Sequence, residues 1–234
     1  MTAIIKRELS SYFNSAIGYI VLTVFYFFSG LFFYLYCLLS NSVSMNYVFL
    51  SMLMIVMLII PIITMRSFSE EKKQKTDQAL LTAPISLTEM VLGKFFGALI
   101  LYGLCNAIFL VYAVILMFYA TPDWAVLFCT LLGMLLMGGA LIAIDLFISA
   151  LTESQVIAAV ISIGVGLFIY MIDSLTDIFD TEWITNILRS LSFDAHFTNF
   201  INGIVNVTSV VFFLSVIGIF LFLCVRVFDA RRWS

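Results

Sequence analysis

The chain has 234 residues, 63% hydrophobic and 11% charged, with a formal net charge of −3 and a mean hydropathy of +1.15. Soluble domains are about half apolar and about a quarter charged, so this composition excludes one and reads as an integral membrane protein. Each bilayer crossing takes roughly 20 apolar residues, and about six crossings use up the chain, leaving no room for a soluble catalytic domain.

At the N-terminus, Ile4, Ile5, Leu9, Tyr12, Phe13 and Ala16 recur at helical spacing on one half of a wheel, with Lys6, Arg7, Ser10, Ser11 and Asn14 opposite. Residues 1–16 are therefore predicted to form an amphipathic elbow helix along the membrane surface, its apolar side in the acyl boundary and its basic side toward headgroups or a cytoplasmic partner. Six segments, apolar all round, then read as transmembrane helices: 17–39, 48–65, 90–119, 124–151, 156–171 and 207–227. The first is longer than a signal-peptide core and no small-x-small cleavage site follows it, so it is kept as a mature helix. Its many aromatics, among them Tyr19, Phe25, Phe27, Phe33 and Tyr34, suit a lipid-facing or a dimer-facing surface. The third and fourth are long enough to tilt or kink. The period-two alternation of a membrane barrel is missing, so the expected fold is an all-α membrane protein in one domain, 1–234.

Between the second and third crossings, residues 66–89 read RSFSEEKKQKTDQALLTAPISLTE and carry four of the eleven Lys and Arg residues and four of the fourteen acids. Such a segment must sit in water. The pattern continues the second crossing to about residue 75 and adds a short helix around 76–81, capped by Thr76 with Asp77 in its first turn and closed by Ala83 and Pro84. Ala79, Leu80 and Leu81 give it an apolar side. A plain connector needs only a few residues; a solvated connector is the other reading.

Asp145 is the one acid set well inside a crossing, where a carboxylate costs about 2.5–3.5 kcal/mol at bilayer centre, so it should face the bundle interior, a partner or water. It is a candidate intramembrane polar site, with a structural role as the competing reading. Gly133, Gly138, Gly139 and Ala140, with Gly164 and Gly166, would let helices approach closely, within a subunit or between two. The segment 173–206 is too charged to span. Ile178, Phe179, Trp183, Ile184, Ile187, Leu188 and Leu191 can share a face, which predicts short re-entrant helices at the outer surface with Trp183 at the interface. Asn206-Val207-Thr208 fits a glycosylation pattern that reads as chance.

With the N-terminus in the cytoplasm, ten of the eleven basic residues lie inside or near the inner interface and only Arg189 lies outside. Basic residues stay on the cytoplasmic side, and an even number of crossings then places both termini there. No phosphate-binding Gly-x-x-x-x-Gly-Lys-Ser/Thr run occurs: Gly93-Lys94 is followed by Phe95, where a metal-binding hydroxyl is needed. His196 is the only histidine, and Cys37, Cys105, Cys129 and Cys224 lack CxxC spacing, which points to packing rather than metal or redox chemistry. No catalytic residue, metal site, bound cofactor or nucleic-acid partner is expected.

An elbow, six crossings and a loop of the form R-x-F-x-E-E-K-x-x-x-T-x-x-x-L-L-x-x-P followed by L-G-K resemble the type-2 permeases of ABC transporters. Arg66, Phe68, Glu70, Glu71, Lys72, Thr76, Leu80, Leu81, Pro84, Leu92, Gly93 and Lys94 carry the resemblance. The opening IIKRELSSYFNSAIGYI and the late FDAHFTNFINGIVN look most like the branch containing the gliding-motility-associated permease. The resemblance implies a multi-pass subunit of the bacterial cytoplasmic membrane, not an enzyme, pairing with an identical or related second permease. Two copies of a separate ATPase would hold ATP and Mg and receive the loop as a coupling helix. Carried over, the coupling contacts are Glu70, Glu71, Thr76, Asp77, Leu80 and Leu81, while Lys75 stands where such loops often have Gly. The expected function is export of an amphipathic or lipid-like substrate. A non-transporting membrane assembly or sensor subunit recruiting a cytoplasmic partner is the alternative, and an intramembrane enzyme would have only Asp145 and His196 to offer.

Overall fold

The computed structural model describes residues 1–73, 75, 86–119, 121–176, 183 and 190–232. Helix α1, Thr2–Asn14, stops at Ser15, whose extended backbone (φ −104°, ψ 158°) turns the chain into α2, Ala16–Phe33. Gly18 makes that turn possible, because a Cβ there would lie 2.6 Å from the Tyr12 carbonyl oxygen. A π-turn, Tyr34–Leu38, extends α2. Helix α3 is Asn46–Thr64 and runs through Pro61; lacking an N–H, Pro61 leaves the Met57 carbonyl without its usual helical donor. After a turn comes α4, Ser69–Lys73.

Helix α5, Leu87–Asn106, opens on an N-cap in which Ser86 Oγ accepts the Glu89 N–H at 3.2 Å. It breaks at Ala107 and continues as α6, Ile108–Leu116, so the long third crossing is two helices in series. Asp123 Oδ1 accepts from the backbone N–H of Ala125 and Val126 and starts α7, Trp124–Leu151. Then follow α8, Gln155–Thr176, α9, Phe193–Ile201, and α10, Val207–Arg232. Six stretches are long and apolar enough to cross a membrane: Ala16–Leu38, Asn46–Lys73, Leu87–Leu116, Trp124–Leu151, Gln155–Ile172 and Val207–Ala230. They coincide with the six predicted crossings, and among the described residues there is no strand.

Helix α7 is the axis of the bundle. It packs against α3, α5, α8, α9 and α10 and is the most buried of the six spans. Two of its glycines serve contacts inside the chain: a Cβ at Gly133 would meet Phe200 of α9 at 2.6 Å, and one at Gly138 would run into the Tyr102 ring of α5. Gly164 meets nothing within 4 Å. The aromatics of α2 and of its π-turn divide between two faces. Phe25 and Phe33 are buried, Phe33 stacked on Tyr112 at 4.5 Å, while Tyr19, Phe27 and Tyr34 point outward.

One expectation is revised and two gain detail. The second crossing does not continue smoothly to residue 75: a turn follows Thr64, α4 ends at Lys73, and Lys75 takes φ +55°. The side chain of Ser149 on α7 receives the Phe68 and Ser69 N–H groups and so supports the break. On α1, Ile4, Glu8 and Tyr12 pack against protein, while Ile5, Leu9 and Phe13 of the same predicted apolar side stay half-buried. Finally, α9 buries Phe193, Phe197, Phe200 and Ile201 against its neighbours, chiefly α7. Of the residues expected to share the outer face, Trp183 and Leu191 are exposed and Ile178, Phe179, Ile184, Ile187 and Leu188 lie outside the described residues.

Candidate functional site

The charged groups gather at the end of the bundle where α1, α4, the start of α5 and the end of α7 meet. Gly93 and Gly97, one helical turn apart on α5, let α1 lie close: Cβ atoms there would fall 2.7 Å from Ile4 and 2.8 Å from the Glu8 Cβ. Glu8 is thereby set beside Lys94, the residue after Gly93.

Lys94 is 2% exposed, and three acceptors surround its ammonium: Glu8 Oε1 at 2.9 Å, Glu71 Oε1 at 3.0 Å and the Ser67 carbonyl at 2.6 Å. An ammonium has three N–H bonds, so all are used. The Phe68 ring face lies 5.0 Å away and adds a cation–π contact. Glu71 also accepts from Arg7 Nη2 at 3.2 Å. Glu70 accepts from Arg66 Nε at 2.6 Å and Nη2 at 3.1 Å, a bidentate pair one turn apart. Tyr12 donates its hydroxyl to the Ile63 carbonyl at 3.1 Å. Burial first, and then the charge of Glu8, raises that phenol well above its ordinary value, so it remains a donor. A cleft of about 230 Å³ opens beside these groups, lined among others by Arg7, Glu8, Ser11, Arg66 and Glu71.

A second set of bonds ties the loop base to α7. Ser149 Oγ accepts the backbone N–H of Phe68 and of Ser69, both at 3.2 Å, at the start of α4. In return Lys72 of α4 donates to the Ala150 carbonyl in the last turn of α7, with its ammonium 5.9 Å from the Phe228 ring of α10. Helix starts leave N–H groups without partners and helix ends leave carbonyls, so each helix caps the other. A lysine at the α7 terminus also matches the negative end of the helix dipole.

Of the sequence-derived coupling residues, Glu70 and Glu71 are both engaged within the chain, and Thr76, Asp77, Leu80 and Leu81 lie outside the described residues. Asp145 is 3% exposed on α7, facing the hydroxyls of Thr64 on α3 and Ser162 on α8. Its Oδ2 has no hydrogen-bond partner among the described residues. It stands about one turn from Ser149, close to the braced end though not part of the ionic cluster.

Sequence reasoning missed Glu8, Ser149 and the Gly93-x-x-x-Gly97 pair; the glycine spacing was a readable signal, while the two polar partners had none. His196 takes a structural setting. Its ring stacks on Phe212 at 4.3 Å, Nδ1 lies 3.0 Å from Ser209 Oγ and Nε2 3.2 Å from the Ser190 carbonyl. A carbonyl only accepts, so Nε2 carries the hydrogen and Nδ1 accepts from Ser209. Ser209 is fully buried and also receives Asn199 Nδ2 at 3.2 Å. This Ser–His contact pins α9 to α10 and presents no hydroxyl to a substrate. The four cysteines are free and buried.

Comparison with known proteins adds one finding. Residues 1–174 match the model of the family described as ABC-2 type transporter. No curated protein matches the chain.

Proposed function

Because the chain belongs to the ABC-2 type transporter family, as a membrane-spanning permease subunit that works with an ABC ATPase, we propose that it forms the translocation path of an ATP-driven exporter for an amphipathic or lipid-like substrate. The observation that carries this reading is the brace at the loop base. Segment 66–89 starts from a point fixed to α1 and α5 through Lys94 and to α7 through the reciprocal caps. In this reading the residues beyond Lys75, with Thr76, Asp77, Leu80 and Leu81, form the coupling helix that enters a cleft of the ATPase. Glu70 and Glu71 hold its root. ATP and Mg belong to two copies of that partner, whose closure on ATP would move the loop. A rigid root passes the movement to α7 and from there to the path between this chain and a second permease, identical or related. The scarcity of buried charge in the spans favours such an amphipathic or lipid-like cargo over small ions. The complex sits in a bacterial cytoplasmic membrane with the loop and both termini inside.

The test is copurification. An ATPase with a phosphate-binding loop should accompany the tagged chain, and Leu80→Glu with Leu81→Glu should release it while leaving the chain folded in detergent. A partner lacking such a loop would turn the reading toward an assembly or sensor subunit.

A further inference from the structure

A groove of about 400 Å³ runs between the start of α5 and the end of α10, at the same end of the bundle as α1 and α4. Leu87, Val91, Leu92, Leu221 and Val225 line it with aliphatic surface. Arg226 and Asp229 stand at its mouth, with the Arg226 guanidinium 5.4 Å from the Phe222 ring. From Leu221 to Asp229 the groove runs about 12 Å along the helix axis, from inside two membrane spans to their boundary.

Its two charges form a loose pair. Arg226 Nη1 and Asp229 Oδ2 are 3.7 Å apart, with side chains 64% and 44% exposed. An exposed pair of this kind contributes little and exchanges partners readily. We propose that the groove binds a phospholipid bearing a primary ammonium headgroup, as in phosphatidylethanolamine. One acyl chain lies along the aliphatic floor, the phosphate sits on the Arg226 guanidinium and the ammonium on the Asp229 carboxylate. The complementarity is specific. Guanidinium donates two parallel bonds to a phosphate. The carboxylate accepts from an ammonium N–H, which a quaternary choline lacks. A phosphate and an ammonium joined by two carbons have the opposite order of charge to the Arg226–Asp229 pair at a comparable spacing. An anionic glycerol headgroup would satisfy Arg226 and offer Asp229 only neutral hydroxyls in place of an ammonium. The occupant is always at hand, because both flanking helices are membrane spans. This site is separate from the ionic brace and does not depend on the transport reading.

The full chain purified in mild detergent, offered equal amounts of dioleoyl phosphatidylethanolamine, phosphatidylcholine and phosphatidylglycerol, is analysed by native mass spectrometry. The ethanolamine lipid should be retained about fivefold over each of the others, the discrimination that one surface-type ionic contact can give. Asp229→Asn should abolish that preference while total lipid stays constant. Arg226→Ala should lower all three, and Val225→Trp, which fills the floor, should exclude them. Arg226 and Asp229 lie on the surface, so their variants fold; an unchanged elution volume checks this. Equal retention of the three lipids by the wild-type chain, retention of the glycerol lipid above the ethanolamine lipid, or a preference that survives Asp229→Asn would overturn the proposal.

Discussion

Lys94 shows how much one side chain can hold at this end of the molecule. Its ammonium separates two carboxylates whose side chains are each 12% exposed, so removing it leaves like charges close together with little water. Lys94→Met should lower stability by about 3 kcal/mol, the lower range for breaking a buried pair, seen as a drop in the thermal midpoint in detergent. Adding Glu8→Gln and Glu71→Gln should restore most of the loss, because the three groups form one network. Lys75 makes the opposite case. A side chain at φ +55° is strained by about 1 kcal/mol relative to glycine, so the backbone takes the bend that a glycine would have favoured. Lys75→Gly should raise the denaturation midpoint by a corresponding amount, and a decrease would show that the side chain makes a compensating contact. The bend at Lys75 was signalled in the sequence, because Lys75 stands where similar loops often have Gly; the partners of Lys94 were not, since Glu8 lies 86 positions away.

At the level of helices, two joints deserve separate tests because they restrain the loop from different sides. Ser149 accepts two backbone N–H groups of the α4 start, and each buried donor left without a partner costs about 1–3 kcal/mol. In the reconstituted complex, Ser149→Ala should leave ATP hydrolysis measurable while transport falls several-fold; equal loss of both activities would argue against α7 as the transmitting element. The α1–α5 joint depends on space. Gly93→Val should displace α1 through the 2.7 Å contact with Ile4, and Ile4→Ala in the same chain should recover part of the stability, whereas additive losses would place the fault elsewhere. The joints differ in how far sequence reveals them. Gly93 and Gly97 announce a close helix contact by spacing alone, whereas Ser149 is one hydroxyl in an apolar helix and meets α4 about 80 positions earlier in the chain.

Across the whole molecule, the native cysteines are buried, so a thiol introduced at the surface can be labelled against a silent background. Ala79→Cys should react only from the cytoplasmic side and Tyr47→Cys, at an exposed position just inside α3, only from the outside. Labelling of position 79 from outside would remove the loop from reach of any ATPase and end the proposed mechanism. The sequence by itself determined the six spans and the one charged loop, because crossing a bilayer is a requirement on composition that each segment meets alone, through length and apolar content. Those properties are written locally and needed no partner to be read. The tertiary structure alone decided that α7 is the axis, that α1 rests on α5, and that Lys94, Glu8, Glu71 and Ser149 fix the root of the loop. The physical reason is that burying a charge or a helix end requires a partner within a few ångströms, and only the packed bundle brings together residues that the chain holds tens of positions apart.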